Sequence, residues 1–138
     1  MKIILMGQQA FGKSALEKFH NETDHEVVAV YCAPDKEGKP VDPVKEYAQS
    51  VGLPVFQPSN FKDQEVLDQM KSHDADLCVM AYVIIFVPEA ARDIPKQGSI
   101  CFHPSLLPLH RGPSSINWPI IGGSSKTGLT IFCFTLSL

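Results

Sequence analysis

Short runs of uninterrupted apolar residues alternate with amphipathic stretches from the first residue of this chain, and that alternation most narrows what it can fold into. Lys2–Met6 is an apolar run closed by Gly7, expected to be a buried strand. Ala15, Leu16 and Phe19 share one face of a helix over Lys13–Asn21. Glu26–Cys32 holds Val27, Val28 and Val30 and ends at Ala33-Pro34. Asp42 is placed to cap a helix running to Val51, with Pro43 in its first turn. Leu53–Phe56 follows as a brief strand, and Asn60 or Asp63 opens a helix whose Val66, Leu67 and Met70 share a face. Asp76–Tyr82, Ser99–His103 and Leu129–Phe134 are the remaining strands, with a short helix at Pro88–Arg92.

Strands that are apolar throughout are covered on both faces, and helices between them make parallel crossovers. The expected fold is therefore α/β, an open and mostly parallel Rossmann-like sheet with helices on both faces. Its length of 138 residues suits one domain with one core. In such sheets ligands lie at the carboxyl ends of the strands. That directs attention to residues 7–12, 33–41, 82–87 and 103–112.

Charge and cysteine content narrow the function. Every carboxylate lies at or before Asp93, so residues 1–93 carry 15 acids against 9 bases. Residues 94–138 carry only Lys96, Arg111 and Lys126. There is no basic stripe that would track DNA. No apolar run reaches the roughly 18 residues of a membrane span, and the start is too short for a secretion signal. A cytoplasmic protein is expected. Cys32, Cys78, Cys101 and Cys133 are widely spaced, form no Cys-x-x-Cys pair, and are expected as buried reduced thiols rather than metal ligands.

Two motifs compete for the chemistry. Gly7-Gln-Gln-Ala-Phe-Gly12-Lys13-Ser14 fits the pattern of a phosphate-cradling P-loop between strand and helix. It lacks the Asp at the end of a second strand that such sites need for Mg²⁺: Asp76 precedes its strand, which ends in Tyr82. The other reading is a tight turn that needs two glycines, with Lys13 in solvent. Even then, the helix N-terminus could hold an anionic part of a substrate. The second motif is Ser99-Ile-Cys101-Phe-His103-Pro104-Ser105-Leu106-Leu107-Pro108-Leu-His110-Arg111-Gly112. It puts an imidazole at the carboxyl edge of the sheet beside a loop stiffened by two prolines. Such a His can serve as acid, base or oxyanion donor, or can simply end a strand and bond to backbone.

The second motif resembles the signature loop of the folate-dependent formyltransferases, a family that includes methionyl-tRNA and glycinamide ribonucleotide formyltransferases. It is most similar to the hydrolase domain of 10-formyltetrahydrofolate dehydrogenase. Gly7-Gln8, Phe11-Gly12, Pro34-Asp35-Lys36, Phe86-Val87-Pro88, Gly98-Ser99-Ile100, Ser115-Ile116-Asn117-Trp118 and Gly128-Leu129-Thr130-Ile131-Phe132 extend the likeness to about residue 132. The likeness implies one domain over 1–138, the N-terminal domain of such an enzyme, incomplete at its C-terminus.

It further implies formyl transfer from 10-formyltetrahydrofolate to an amine, or to water, with no metal and no nicotinamide. His103 is then the oxyanion donor and proton carrier. Cys101 stands where the family usually has a donating Asn, and is a weak donor at best or merely a core residue. Ile85, Phe86, Val87, Ser105, Leu106, Leu107 and Pro108 fall on the folate-contacting segments. His110 and Arg111 face substrate, while Asn117 and Trp118 cap and pack a short helix under the loop.

One departure stands out. The family continues its sixth strand into Asp-x-Gly-Leu-Asp-Thr-Gly, whose second Asp tunes the catalytic His. Here Cys133-Phe-Thr-Leu-Ser-Leu138 follows instead, as a frameshift or altered splice would produce. The expectations are that His103 lacks a partner to fix its tautomer and that turnover is weak or absent. Phe132, Phe134 and Leu136 then form an edge face prone to association. A folate-binding remnant without catalysis, and a nucleotide-binding P-loop protein, are the alternatives. The formyl acceptor (water, methionyl-tRNA or a small amine) is left open.

Overall fold

β1 (Lys2–Gly7) is buried from Ile3 onward and lies at the centre of a six-stranded sheet. The computed structural model describes residues 1–134, and all that follows concerns these. β1 leads into α1 (Gln9–Asn21), then β2 (Glu26–Tyr31), α2 (Pro43–Ser50), β3 (Val55–Phe56) and α3 (Gln64–Ser72). The second half adds β4 (Leu77–Ala81), α4 (Glu89–Arg92), β5 (Ser99–His103), α5 (Asn117–Ile121) and β6 (Thr130–Cys133).

The strand order is β3-β2-β1-β4-β5-β6. All pairs are parallel except β5 with β6, which are antiparallel and place Thr130 opposite His103. The chain runs outward from β1 to β3 and then restarts on the other side at β4. The order therefore reverses between β1 and β4, where Gly7 pairs with Ala81, and this reversal opens a crevice at the carboxyl ends of the strands.

Side-chain alternation along β1 splits the core into two layers. Ile4 and Met6 face α3 and α4 with Tyr31, Phe61, Met70, Cys78, Met80 and Ala91. Leu5 faces α1 and α2 with Leu16, Val30, Val44 and Ala48. Asp42 caps α2 as expected, its side chain accepting from Val44 N.

Three expectations need correction. Helix α1 begins at Gln9, not Lys13, so Gly12, Lys13 and Ser14 lie inside it and form no loop. Lys13 instead pairs with Glu17 at 3.6 Å and approaches the Tyr47 ring. The cysteines are all free, but Cys133 is exposed, because β6 turns Phe132 inward and its neighbours out. Helix α5 exists, yet Asn117 makes no capping bond and Trp118 is exposed, Pro119 being the residue that α5 buries. Phe132 and Phe134 pack edge to face, with centroids 5.1 Å apart. Leu136, the third member of the expected face, lies outside the described residues. No described helix is long and apolar enough to cross a membrane.

Candidate active site

β5 carries Ser99, Cys101 and His103 on one side and Ile100 and Phe102 on the other, as strand alternation requires. Phe102 stacks on Phe11 of α1, centroids 4.2 Å apart, which seats the strand against the first helix. His103 thereby ends up half-buried at the carboxyl edge of the sheet. Its Nε2 lies 3.0 Å from the carbonyl oxygen of His110. A carbonyl only accepts, so the proton sits on Nε2 and the lone pair on Nδ1. The expected absence of a partner for His103 is thus corrected: the backbone of the following loop fixes its tautomer.

The loop that supplies this carbonyl is held from two sides. The Ser105 hydroxyl, fully buried, donates to Leu109 O at 2.7 Å. Thr130 of β6 donates to Ser105 O at 2.8 Å and accepts from Leu107 N at 3.1 Å. Leu106 lies over Gly128, where an added Cβ would come within 2.7 Å of it.

Beside His103 opens a cleft of 470 Å³, lined by Tyr82, Val83, Ile84, Cys101, Phe102, Pro104 and residues 112–115. Of the residues singled out from the sequence, Cys101 and His103 meet in this cleft. Ile85 faces the opposite way, towards Met6 and Tyr31, and Val87 is core. Phe86 is 72% exposed, beneath the Lys62 ammonium. Ser105, Leu106, Leu107 and Pro108 frame the loop rather than line the cleft. Burial raises the Cys101 thiol pKa above its ordinary value, so it stands in the wall as a neutral thiol. Among the described residues, no group of three or more His, Cys, Asp or Glu is placed to hold a metal.

Sequence reasoning marked the segment that begins at Tyr82 but singled out neither Tyr82 nor Ser114. Both line the cleft with left-handed backbone, φ 65° and 58°, and His110 shares that conformation at φ 52°. Non-glycine residues held there cost about 1–3 kcal/mol each and gather where geometry is dictated by function. No compositional signal marks them, because Tyr after a strand and Ser in a turn are ordinary residues.

The family model described as Formyl transferase matches residues 1–137. This chain belongs to the formyl transferase family. It is 40% identical over 137 residues to cytosolic 10-formyltetrahydrofolate dehydrogenase of Xenopus tropicalis, covering 96% of this chain and 15% of that protein. It is likewise 40% identical over 136 residues to methionyl-tRNA formyltransferase of Fusobacterium nucleatum, covering 95% of this chain and 43% of that one. The formyl transferase chain thus spans less than half the length of these relatives. The fold matches a phosphoribosylglycinamide formyltransferase from Anaplasma phagocytophilum with a TM-score of 0.80 at 21% identity, over 100% of this chain and 66% of that one. The open α/β sheet read from the apolar runs is the fold of this family.

Proposed function

We propose that the chain binds 10-formyltetrahydrofolate and transfers or hydrolyses its formyl group at His103. The observation that carries this reading is the His103 ring, fixed by the His110 carbonyl in the wall of the 470 Å³ cleft. With Nε2–H committed, Nδ1 is the free base. It takes the proton from a water or amine as that nucleophile bonds to the formyl carbon. The resulting Nδ1–H donates to the oxyanion and then protonates N10 as the carbon–nitrogen bond breaks. A donor aimed at that oxyanion is worth about 3 kcal/mol.

The walls suit the donor. Val83, Ile84, Phe102 and Pro104 give apolar surface to a flat heterocycle, and the adjoining backbone offers polar groups for its edge. Phe86 and the Leu106–Pro108 part of the loop are the further folate contacts in this reading; Ser105, buried with hydroxyl, amide and carbonyl all bonded within the protein, positions that loop.

A second reading, folate binding without turnover, is favoured by Cys101. A neutral thiol is a poor substitute for an amide donor. One experiment separates the two: formyl release from 10-formyltetrahydrofolate by wild type and His103→Ala, with calorimetry on the stable 5-formyl isomer. Slow release, reduced about 100-fold or more in the variant with folate affinity retained, supports catalysis at His103. Affinity without release supports the binding reading, and absence of affinity overturns both.

A further inference from the structure

Among the described residues, Ser99, Ser105 and Ser115 are the buried serines, at 1%, 0% and 5% exposure. Burying a hydroxyl without a hydrogen-bond partner is costly. Ser99 and Ser105 avoid that cost by donating to backbone carbonyls, Arg92 O at 2.6 Å and Leu109 O at 2.7 Å. The Ser115 hydroxyl bonds to no described residue. Arg92 Nε is the one fully buried side-chain polar atom left unpaired among the described residues. The Ser115 oxygen is therefore not sealed in the core but opens on the 470 Å³ cleft that it lines with His103. The backbone puts it there. Gly112 and Ser114 take left-handed conformations, φ 84° and 58°, and residue 115 is buried between two exposed neighbours, Ser114 and Ile116. Ser114 O accepts from Asn117 N and Trp118 N, at 2.9 and 3.1 Å, and α5 begins without a side-chain cap. The other hydroxyls of the cleft belong to Tyr82 and Ser114, which are exposed and have their hydrogen bonds met by water.

A serine hydroxyl carries one donor and two lone pairs, so the missing partner of Ser115 is a polar group of whatever fills the cleft. The cleft is short of side-chain donors. Cys101 offers only a weakly donating thiol, and His103 has its Nε2–H committed to His110 O. We propose that Ser115 is a further catalytic residue, its hydroxyl donating to the formyl oxygen of the folate as negative charge gathers there. This rests on the formyl-transfer reading of His103 and adds a second donor to the Nδ1–H that forms in the reaction. The bond strengthens from neutral carbonyl to oxyanion, which is the condition for lowering a barrier rather than only binding substrate. Ser115 keeps its proton throughout, so the proton route through His103 is unchanged.

The test compares wild type with Ser115→Ala in the full chain. In urea unfolding the variant should match wild type or exceed it, because no bond within the protein is lost, whereas Ser105→Ala should be less stable. Infrared difference spectra with 10-formylfolate, carbon-13 labelled in its formyl group, read the proposed bond and need no turnover. The formyl C=O stretch should lie lower in wild type than in Ser115→Ala. Formyl release from 10-formyltetrahydrofolate should fall about 100-fold in kcat with KM little changed. A destabilised Ser115→Ala assigns the hydroxyl a structural bond and overturns the proposal. So does an identical stretch in the two proteins, and so does a rise in KM with kcat unchanged, which makes Ser115 a binding contact only. Where wild type releases no formyl group, the spectra decide. If 10-formylfolate binds to neither protein, the folate reading itself fails and takes the proposal with it; binding without a Ser115 effect overturns the proposal alone.

Discussion

His103 Nε2 donates to the carbonyl of His110 at 3.0 Å, and His110 holds that carbonyl in place with a left-handed backbone. The tautomer of the ring therefore depends on a backbone conformation that a histidine adopts at a cost.

That dependence is testable at His110 without touching its carbonyl. His110→Gly removes the Cβ conflict at φ 52° while the acceptor stays. The variant should match wild type or gain up to about 1 kcal/mol in urea unfolding, relief of strain outweighing glycine's entropy. Nitrogen shifts of the His103 ring should still report a proton on Nε2. A ring protonated on Nδ1 in the variant would mean that the His110 side chain, not its backbone, sets the tautomer.

The two glycines of the first turn should differ in their tolerance. Gly7→Ala drives a Cβ to 2.5 Å from a backbone oxygen, which only strand separation relieves. Gly12→Ala meets a valine methyl at 2.8 Å, although Gly7 C lies close behind at 3.1 Å. Gly7→Ala is expected to cost more than Gly12→Ala. Val44→Ala should recover part of the Gly12→Ala loss, a coupling of about 1 kcal/mol in a double-mutant cycle. Strict additivity would remove the Val44 contact as the cause.

Thiol reactivity should follow burial. Cys133 is exposed and is expected to react with maleimide in the native state. Cys32 and Cys78 are buried, with thiols pushed up to about 11 and about 12, so both should stay protected until unfolding. Cys101 should react slowly, and still more slowly with 5-formyltetrahydrofolate present. Mass spectrometry of labelled peptides reads all four, and a Cys101 rate indifferent to bound folate would place the folate elsewhere.

One buried tyrosine supplies a pH signature. Tyr31 OH is hydrogen-bonded with His73 Nε2 at 3.0 Å, and burial lowers the His73 pKa below its ordinary value. A histidine depressed in the folded state binds its proton more readily when unfolded. Its contribution to stability is therefore complete above the ordinary histidine range and lost as pH falls through that range to the lowered folded value. Tyr31 is pushed upward chiefly by burial and stays protonated throughout. Urea midpoints should fall on acidification from pH 7.5 to 5.5 in wild type, and less so in His73→Gln. Equal slopes in both would assign the effect elsewhere.

Asp74 and Asp76 add a separate response at lower pH. The Lys96 ammonium lies 3.0 Å from Asp74 and 3.3 Å from Asp76. Asp74 is held below the usual carboxylate range by Lys96, and Asp76 chiefly by the bond from Lys2 N. Depressed carboxylates stabilise above their unfolded pKa, and that stabilisation is lost as pH falls below the ordinary carboxylate range. Asp74 and Lys96 are exposed and Asp76 is half-buried, so the effect should be small and should shrink in salt. An acid limb that ignores both salt and Lys96→Met would count against the network.

What was legible in the sequence followed from unambiguous local physics. The apolar run of Ser99–His103 became β5 with the expected bounds, and Asp42 before Pro43 became a helix cap. The Gly7–Ser14 spacing left the helix start open, because a pattern fixes residue types and not where a helix begins; α1 starts four residues early, and of the two readings the tight turn that needs two glycines is the one that holds. The His110 carbonyl was invisible for a different reason. A backbone acceptor seven residues away has no residue-type signature, and only the path of the loop shows it. Tyr82 fell inside a marked segment, but its left-handed backbone has no residue-type signature either.

Thr130 sits on the strand that runs opposite to its neighbour, and its hydroxyl bridges Ser105 O and Leu107 N. The loop that orients His103 is thus fastened to residues more than twenty positions later in the chain. Closing so long a segment carries an entropic cost that local contacts do not offset. Formation of the ring's surroundings is therefore tied to docking of the outermost strand, and a frayed sheet edge would disorder the centre of the chemistry before it disturbed the core. Exchange of the Leu107 amide with solvent deuterium is the clock for that event.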